Sequence, residues 1–236
     1  MKVDVVLHAG LLDQYDFTGK VAVVIDVFRA TSVITEGLRN GAKKYIPVGT
    51  IEEAHEYKSC NPEVLLGGER DGKQIEGFDL DNSPLSYTKN RVEDATIVGT
   101  TTNGTRALRG VSWADKVYLA SFRNLSAVVS KLIQYDDVVL VCSGSENGVS
   151  LEDSVCAGGI VYHLELHASV TCSDTAIMLK SVYGNNVIHL HEFLSAGEHY
   201  KYLASIGMQP DLDFCLAVNK TTIVPYFDGM AVTAEE

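Results

Sequence analysis

The sequence is short of positive charge. It holds 19 Lys and Arg against 31 Asp and Glu, which gives its 236 residues a formal net charge of −12. Nucleic-acid-binding proteins carry a basic footprint, and anionic membrane surfaces attract basic segments, so this balance argues against both partners. An acidic protein that binds a small anion must instead concentrate its few cations locally.

Cysteines are few, and long apolar runs are missing. The five cysteines (60, 142, 156, 172 and 215) are widely spaced and form no Cys-x-x-Cys pair, which argues against a disulfide framework or a zinc site. Their mostly apolar neighbours suit buried thiols in a reducing, cytoplasmic compartment. No apolar run approaches the ~18 residues of a membrane span. The N-terminal run Val3–Leu7 is too short, and with Asp4 too acidic, for a signal peptide.

Several familiar catalytic signatures are also missing. No Walker Gly-Lys-Ser/Thr sequence is present, and position 148, six residues after Cys142, lacks the Arg of cysteine phosphatases. Asp79-Leu80-Asp81 resembles a haloacid-dehalogenase motif but follows a poor strand. The histidines, His199 among them, form no His-Glu-x-x-His and are interpreted as ordinary polar groups.

Short runs rich in Val, Ile and Leu alternate with helical patterns. The predicted strands are Val3–His8, Val21–Ile25, Lys44–Pro47, Thr96–Gly99, Lys116–Ala120, Val138–Cys142, Val187–His191, Phe214–Val218 and Thr222–Phe227. The predicted helices are Thr31–Asn40, Ile51–Ser59, Thr105–Arg109, Ser126–Gln134, Glu152–Leu166, Thr175–Tyr183 and Ala196–Ser205. Near-continuous apolar strands are typical of sheets covered on both faces. The pattern predicts an α/β fold with mixed, mostly parallel sheets flanked by helices.

The chain length suits one large domain or two small ones. Residues 21–48 and 138–164 share an order of strand, polar loop, helix and further apolar run. One interpretation is a duplication that gives two similar lobes, residues 1–135 and 136–236. The other is a single domain in which any two βα units look alike. No Pro/Gly/Ser linker separates the halves, so the boundary is soft.

Ligands of open α/β sheets bind beyond the carboxyl ends of the strands, and this rule selects loops here. Asp26 follows the strand Val21–Ile25, and Arg29 stands three residues further on, beside a helix start that favours anions. A carboxylate and a guanidinium in this arrangement suit a metal ion and an anionic substrate. The alternative is that Asp26 only caps the turn.

A second loop, Gly67–Pro84, is dense in polar residues. Its 18 residues hold five carboxylates, two cations and four glycines, and almost none of them is expected in a core. Carboxylates bind hard cations such as Mg²⁺, while Arg clamps phosphate or sulfonate oxygens. Glu69, Arg70 and Lys73 are therefore candidate site residues. A solvated, turn-rich loop is the alternative.

Two further loops offer anion and metal contacts. Thr101–Arg106 follows a strand and leads into a helix, so its amides, hydroxyls and guanidinium predict an oxyanion nest. The alternative is a capping segment that avoids steric strain. In the loop after Val138–Cys142, Ser143 is a candidate anion ligand. Glu152 and Asp153 begin the next helix, where one carboxylate suits the helix dipole and the other suits a metal. Cys142 lacks cationic neighbours and is interpreted as a strand-end residue.

Together these loops resemble the Mg²⁺-dependent 2-phosphosulfolactate phosphatases. The resembling segments are IDVFRATS (25–32), GGERDGKQIEGFDLDNSP (67–84), TTNGTRAL (101–108) and CSGSENGVSLEDSVCAGG (142–159). The resemblance implies hydrolysis of (2R)-2-phospho-3-sulfolactate to 3-sulfolactate and phosphate, a step toward coenzyme M. It also implies an α/β fold distinct from common phosphatases, Mg²⁺ dependence and self-association.

Residues and resemblance together predict a site. Mg²⁺ is expected on Asp26, Glu69 and Asp153, where it polarises phosphoryl oxygens. The predicted catalytic residues are Asp26, Arg29, Glu69 and Arg70. The predicted substrate-binding residues are Lys73, Thr101, Thr102, Asn103, Gly104, Arg106 and Ser143. Either water attacks the phosphorus directly, or a carboxylate such as Asp26 attacks first.

Other functions remain open at this point. One alternative is a metal-dependent phosphatase or phosphotransferase for another small polyanionic phosphoester. A second is a non-catalytic module that binds small anions, which would have little use for metal-binding carboxylates. The number of metal ions, the oligomeric state and the division of cations between phosphate and sulfonate are not determined by the sequence.

Overall fold

A computed structural model describes residues 1–146 and 148–235. The strands are β1 Lys2–Val6, β2 Val21–Ile25, β3 Lys44–Pro47, β4 Leu65–Arg70, β5 Lys73–Gln74, β6 Thr96–Thr100, β7 Lys116–Ala120, β8 Asp137–Cys142, β9 Thr171–Cys172, β10 Val224–Phe227 and β11 Val232–Glu235. The α-helices are α1 Ala30–Arg39, α2 Ile51–Cys60, α3 Lys89–Val92, α4 Gly104–Gly110, α5 Leu125–Leu132, α6 Leu151–His167, α7 Asp174–Asn186, α8 Leu190–Ser195, α9 Glu198–Ser205 and α10 Gln209–Cys215.

These strands form one mixed sheet in the order β5-β4-β6-β3-β11-β10-β7-β2-β8-β1-β9. Two parallel blocks, β9-β1-β8-β2-β7 and β3-β6-β4, are joined by the antiparallel hairpin β10–β11. This architecture confirms the predicted α/β class with a mostly parallel, mixed sheet. Since β8 lies between β2 and β1, strands of both halves of the chain share this sheet. The division at residue 135 stays a prediction.

The central strands are buried on both faces. Val21, Val23 and Ile25 of β2 belong to one apolar cluster, which also includes residues of α5, α6 and α7. Ala22 and Val24 belong to a second cluster with residues of α1 and α4. Alternate side chains of a strand point to opposite faces, so helices on both faces require the continuous apolar run that predicted β2.

The sheet must be strongly twisted and curled. Three successive antiparallel pairings separate the two parallel blocks, so the blocks run in opposite directions along the sheet. In a flat sheet their carboxyl ends would lie on opposite edges. A Cβ atom on Gly104, just beyond β6, would nevertheless lie 2.8 Å from Oδ2 of Asp26, just beyond β2. Sheet twist therefore brings the two ends together.

Most predicted elements are confirmed, and β2, β3 and β7 have the predicted bounds. Two strand predictions are wrong. Val187–His189 is a 3-10 helix that continues into α8, and Ile188 is 87% exposed, so its β-branched composition does not reflect a buried strand. Phe214–Val218 begins inside α10, whose Leu212 and Cys215 are buried three residues apart, as on one face of a helix.

Four strands were missed: β4, β11 and the two-residue strands β5 and β9. Gly67–Arg70, interpreted as loop, belongs to β4, which pairs in parallel with β6. The expectation that almost nothing in this segment enters a core is wrong, because Ile75, Phe78 and Leu80 are buried. The C-terminal strand β11 completes the hairpin that joins the two parallel blocks.

The five cysteine thiols are free, and three of them are buried. Burial raises the pKa of the Cys142 thiol well above its ordinary value, which opposes thiolate formation and agrees with its interpretation as a strand-end residue. Within the described ranges 1–146 and 148–235, no helix combines the length and apolar character needed to cross a bilayer.

Candidate active site

A cleft of about 370 Å³ lies at the carboxyl ends of the parallel strands. Its walls come from the residues after β2, the β4–β5 turn, the segment after β6, the loop after β8 and the helix α9. The lining residues are Asp26, Phe28, Arg29, Glu69, Asp71, Gly72, Asn82, Thr101, Thr102, Asn103, Ser145, Glu146, Glu198, His199, Tyr202 and Leu203. Six of the sequence-predicted site residues are therefore in one cleft.

Asp26 lies where β2 ends and α1 is about to begin. Its Oδ1 accepts a hydrogen bond from the Ala30 N–H at 3.1 Å, and only 8% of the residue is exposed. Burial raises the pKa of Asp26 to about 6. The Ala30 hydrogen bond and the charge of His199 oppose this shift, whereas the charges of Glu69 and Glu152 add to it. The raised pKa shows that nearby positive charge does not offset the cost of burying this carboxylate.

Glu69 is held in a fixed orientation by backbone and hydroxyl donors. Its Oε1 accepts from the Thr102 N–H at 2.8 Å and from Thr102 Oγ1 at 2.9 Å, while its Oε2 accepts from the Gly72 N–H at 2.9 Å. Charge-assisted bonds of this kind are short and strong. Glu69 thus ties the β4–β5 turn to the segment after β6 and presents its carboxylate to the cleft.

The segment Thr101–Gly104 folds tightly against Asp26. The Thr101 N–H bonds to Thr105 Oγ1, and the Thr102 N–H bonds to Glu69, so these two amides are used within the protein. Glycine is required at position 104, because an added Cβ would lie 2.7 Å from Ala30 Cβ and 2.8 Å from Asp26 Oδ2. Since the Thr102 hydroxyl also donates to Glu69, the predicted anion contacts of this segment depend mainly on the Thr101 hydroxyl and Asn103.

The four predicted cations occupy different positions. Arg29 lines the cleft but is 2% exposed, and it donates to Asp211 Oδ2 and to the Gly72 carbonyl, both at 2.7 Å. Arg70 lies outside the lining and donates to Thr100 Oγ1 and to the Glu69 carbonyl. Lys73 lies exposed on β5. Arg106 lines a separate groove with Trp113.

Asp153 and Ser143 lie behind the cleft. Asp153 is buried, and its two oxygens accept the N–H groups of Val27 and Gly144 at 2.8 and 3.1 Å. Burial, reinforced by the charges of Glu152 and Asp26, raises its pKa well above the ordinary value. Ser143 is also buried and does not line the cleft. Its carbonyl accepts the Ala9 N–H. These contacts position the loops after β2 and β8.

Sequence reasoning missed the wall that α9 contributes. His199, Tyr202 and Leu203 line the cleft, and His199 Nδ1 lies 2.7 Å from Oε1 of the buried Glu152. The Tyr202 hydroxyl donates to the Asp71 carbonyl at 2.9 Å. The signal for this wall was weak, because α9 carries no glycine-rich loop or motif and is more than 40 residues from its α6 partner.

The cleft fits a hard divalent cation with few protein ligands. Among residues 1–146 and 148–235, no three His, Cys, Asp or Glu side chains are grouped to hold a metal. Asp26 and Glu69 do share the cleft, and their mutual repulsion contributes to the raised pKa of Asp26. Mg²⁺ is commonly bound by one or two carboxylates together with waters and substrate phosphate. Two carboxylates with unbalanced charge match that pattern.

Similarity to known proteins extends over nearly the whole chain. Residues 7–229 match the family described as 2-phosphosulpholactate phosphatase. A protein of Clostridium perfringens (strain SM101 / Type A) is 44% identical over 241 residues, which cover 100% of this chain and 97% of the relative. One of Clostridium beijerinckii is 39% identical over 239 residues, covering 100% of both chains. One of Symbiobacterium thermophilum is 42% identical over 225 residues, covering 93% and 97%.

Each of these relatives is named "Probable 2-phosphosulfolactate phosphatase". The family match spans all four segments that carried the resemblance. The chain belongs to the 2-phosphosulpholactate phosphatase family.

Proposed function

We propose that this protein is a phosphoric monoester hydrolase that converts (2R)-2-phospho-3-sulfolactate to 3-sulfolactate and phosphate with the aid of Mg²⁺. The observation that carries the proposal is the family match over residues 7–229. Its support in the structure is a cleft in which Asp26 and Glu69 face polar side chains of Thr101, Thr102 and Asn103. Membership of a phosphatase family suggests a metal-dependent enzyme, and Mg²⁺ is our specific assignment.

The protein's own groups bind and orient the phosphoester. The Thr101 hydroxyl and the Asn103 amide line the cleft and can contact phosphate oxygens, whereas the Thr102 hydroxyl already donates to Glu69 Oε1. Arg29 also lines the cleft and supplies positive charge, which its ion pair with Asp211 partly neutralises. Phosphoryl transfer is accelerated chiefly by positioning and by stabilising charge, which these residues can provide.

Asp26 and Glu69 would hold the cation. When bound, Mg²⁺ supplies the positive charge that phosphoryl oxygens need as the bond to the leaving group breaks. Asp153 supports the arrangement by fixing the Val27 and Gly144 amides, and we assign it this positioning role in place of the predicted ligand role. Acid quenching with radiolabelled substrate would distinguish direct attack by water from a phosphorylated Asp26.

The proposal is tested with a panel of phosphoesters. The purified protein should release phosphate from 2-phosphosulfolactate more efficiently than from analogues that lack the sulfonate, and EDTA should abolish the release until Mg²⁺ is restored. A protein that binds the ester without EDTA-sensitive turnover is a binding module. Faster turnover of sugar or nucleotide phosphates would assign the cleft to another substrate.

Two further predictions accompany the proposal. Self-association, which the resemblance implies, is tested by light scattering of the purified chain at several concentrations. The cytoplasmic location inferred from the cysteines is tested by fractionation of the source cells. Neither result changes the chemistry proposed for the cleft.

A further inference from the structure

His199 and Glu152 form a buried dyad at the edge of the cleft. Glu152 belongs to α6, is 2% exposed, and accepts from Ser150 Oγ at 2.6 Å and from His199 Nδ1 at 2.7 Å. Within the described chain, His199 is the only cationic partner of Glu152 within ion-pairing distance. A buried carboxylate is costly without a positive partner, so this contact favours the imidazolium form of His199.

One ring nitrogen of His199, Nε2, is left available to a ligand in the cleft. The other nitrogen, Nδ1, is bound to Glu152, and in the described ranges no protein atom is hydrogen-bonded to Nε2. The ring edge contacts Phe28, with centroids 6.1 Å apart, which fixes the ring from the side of β2. About a quarter of the side chain is exposed (24%), and the residue lines the cleft. The free nitrogen is therefore the one available to a ligand.

The surrounding charges also favour protonation. Burial lowers the pKa of His199, but the hydrogen bond and charge of Glu152 and the charge of Asp26 outweigh burial, while Arg29 acts weakly against them. The net result is a raised pKa. Glu198, the neighbouring residue on α9, adds a further carboxylate to the same cleft. An imidazolium near neutral pH is a suitable proton donor.

We propose that His199, held by Glu152, protonates the leaving oxygen of the phosphoester. This role rests on the proposed phosphatase function. As the new P–O bond forms to the incoming oxygen, the old P–O bond breaks and leaves its electron pair on the substrate oxygen. The Nε2 proton moves to that oxygen and gives the free alcohol. The water whose oxygen ends in the product phosphate releases one proton to solvent, and neutral His199 takes a proton back from solvent.

The test compares leaving groups. The secondary alcohol of 2-phosphosulfolactate is a poor leaving group and needs a proton, whereas p-nitrophenolate leaves without one. His199→Gln should lower kcat for 2-phosphosulfolactate by about 10²–10⁴-fold, the usual range for general acid catalysis, and the loss with p-nitrophenyl phosphate should be at least ~10-fold smaller. His189→Gln, at an exposed position in the 3-10 helix Val187–His189, is the matched control.

Other outcomes would overturn the assignment. Equal losses with both esters would show that His199 does not protonate the leaving group, and a change in KM alone would make it an anion ligand. Glu152→Gln keeps an acceptor for Nδ1 but removes the charge, so the alkaline limb of the kcat profile should move to lower pH; an unmoved limb contradicts the dyad. If 2-phosphosulfolactate is not a substrate, the same comparison with the best alkyl phosphoester still tests His199.

Discussion

Replacing Asp26 by Asn should greatly lower activity while making the protein more stable at neutral pH. Asn is nearly isosteric, and its Oδ1 can keep the hydrogen bond from the Ala30 N–H. The change removes the negative charge that we assign to cation binding. Electrostatic groups in such sites are worth about 2.7–4 kcal/mol, so kcat should fall by roughly 100- to 1,000-fold.

The stability gain follows from the pKa of Asp26. Burial raises that pKa from 3.8 to about 6, so ionisation opposes folding. At about 1.4 kcal/mol per pKa unit, the ionised side chain destabilises the cation-free native state by about 3 kcal/mol. The penalty is absent below pH 3.8, grows as pH rises through about 6, and is full above it. The free energy of unfolding should therefore be higher in the Asn variant at pH 7–8 but not at pH 4.

Urea denaturation in EDTA at pH 4, 6 and 8 measures this difference, and steady-state phosphate release measures activity. Asp136→Asn, an exposed acidic residue before β8, is the control and should change neither quantity. Added Mg²⁺ should stabilise the wild-type protein and not the Asp26→Asn variant. A variant that is less stable at pH 8, or one with wild-type turnover, would refute the reasoning.

Three other changes probe the same cleft. Glu69→Gln places an amide NH₂ against N–H donors, and kcat at saturating Mg²⁺ should fall at least ~100-fold; wild-type turnover would remove Glu69 from the site. Asp211→Asn removes the ionic partner of the buried Arg29 guanidinium and should lower the free energy of unfolding in urea by about 3–5 kcal/mol. The same change at exposed Asp213 should lower it little. Gly104→Ala should displace Asp26 and lower kcat at least ~10-fold, and an unchanged rate would contradict the close packing there.

Periodicity and composition identified most of the sheet, because central strands buried on both faces leave continuous apolar runs such as Val21–Ile25. β4 was missed because its Gly-Gly-Glu-Arg sequence has low strand propensity, and its pairing with β6 depends on tertiary contacts. Val187–His189 was assigned wrongly because β-branched residues there lie exposed rather than in a strand.

For the site, the rule that ligands bind beyond the carboxyl ends of strands selected Asp26, Glu69 and Thr101–Asn103. These residues line one cleft, because the carboxyl ends of the parallel strands converge. The sequence could not show that Arg29 is engaged by Asp211, 182 residues away in the chain. It also could not show that α9 places His199 against Glu152. Such long-range pairings are set by the curled sheet and leave no local pattern.

The central claim is that Asp26 and Glu69 hold a divalent cation against the phosphate of the substrate. A crystal structure of the protein with Mn²⁺ in place of Mg²⁺ and with bound phosphate tests it directly, because Mn²⁺ is located by its anomalous signal. The account predicts one anomalous peak within coordination distance of both carboxylates and of a phosphate oxygen. A peak elsewhere, or phosphate bound in the Arg106–Trp113 groove, would contradict it.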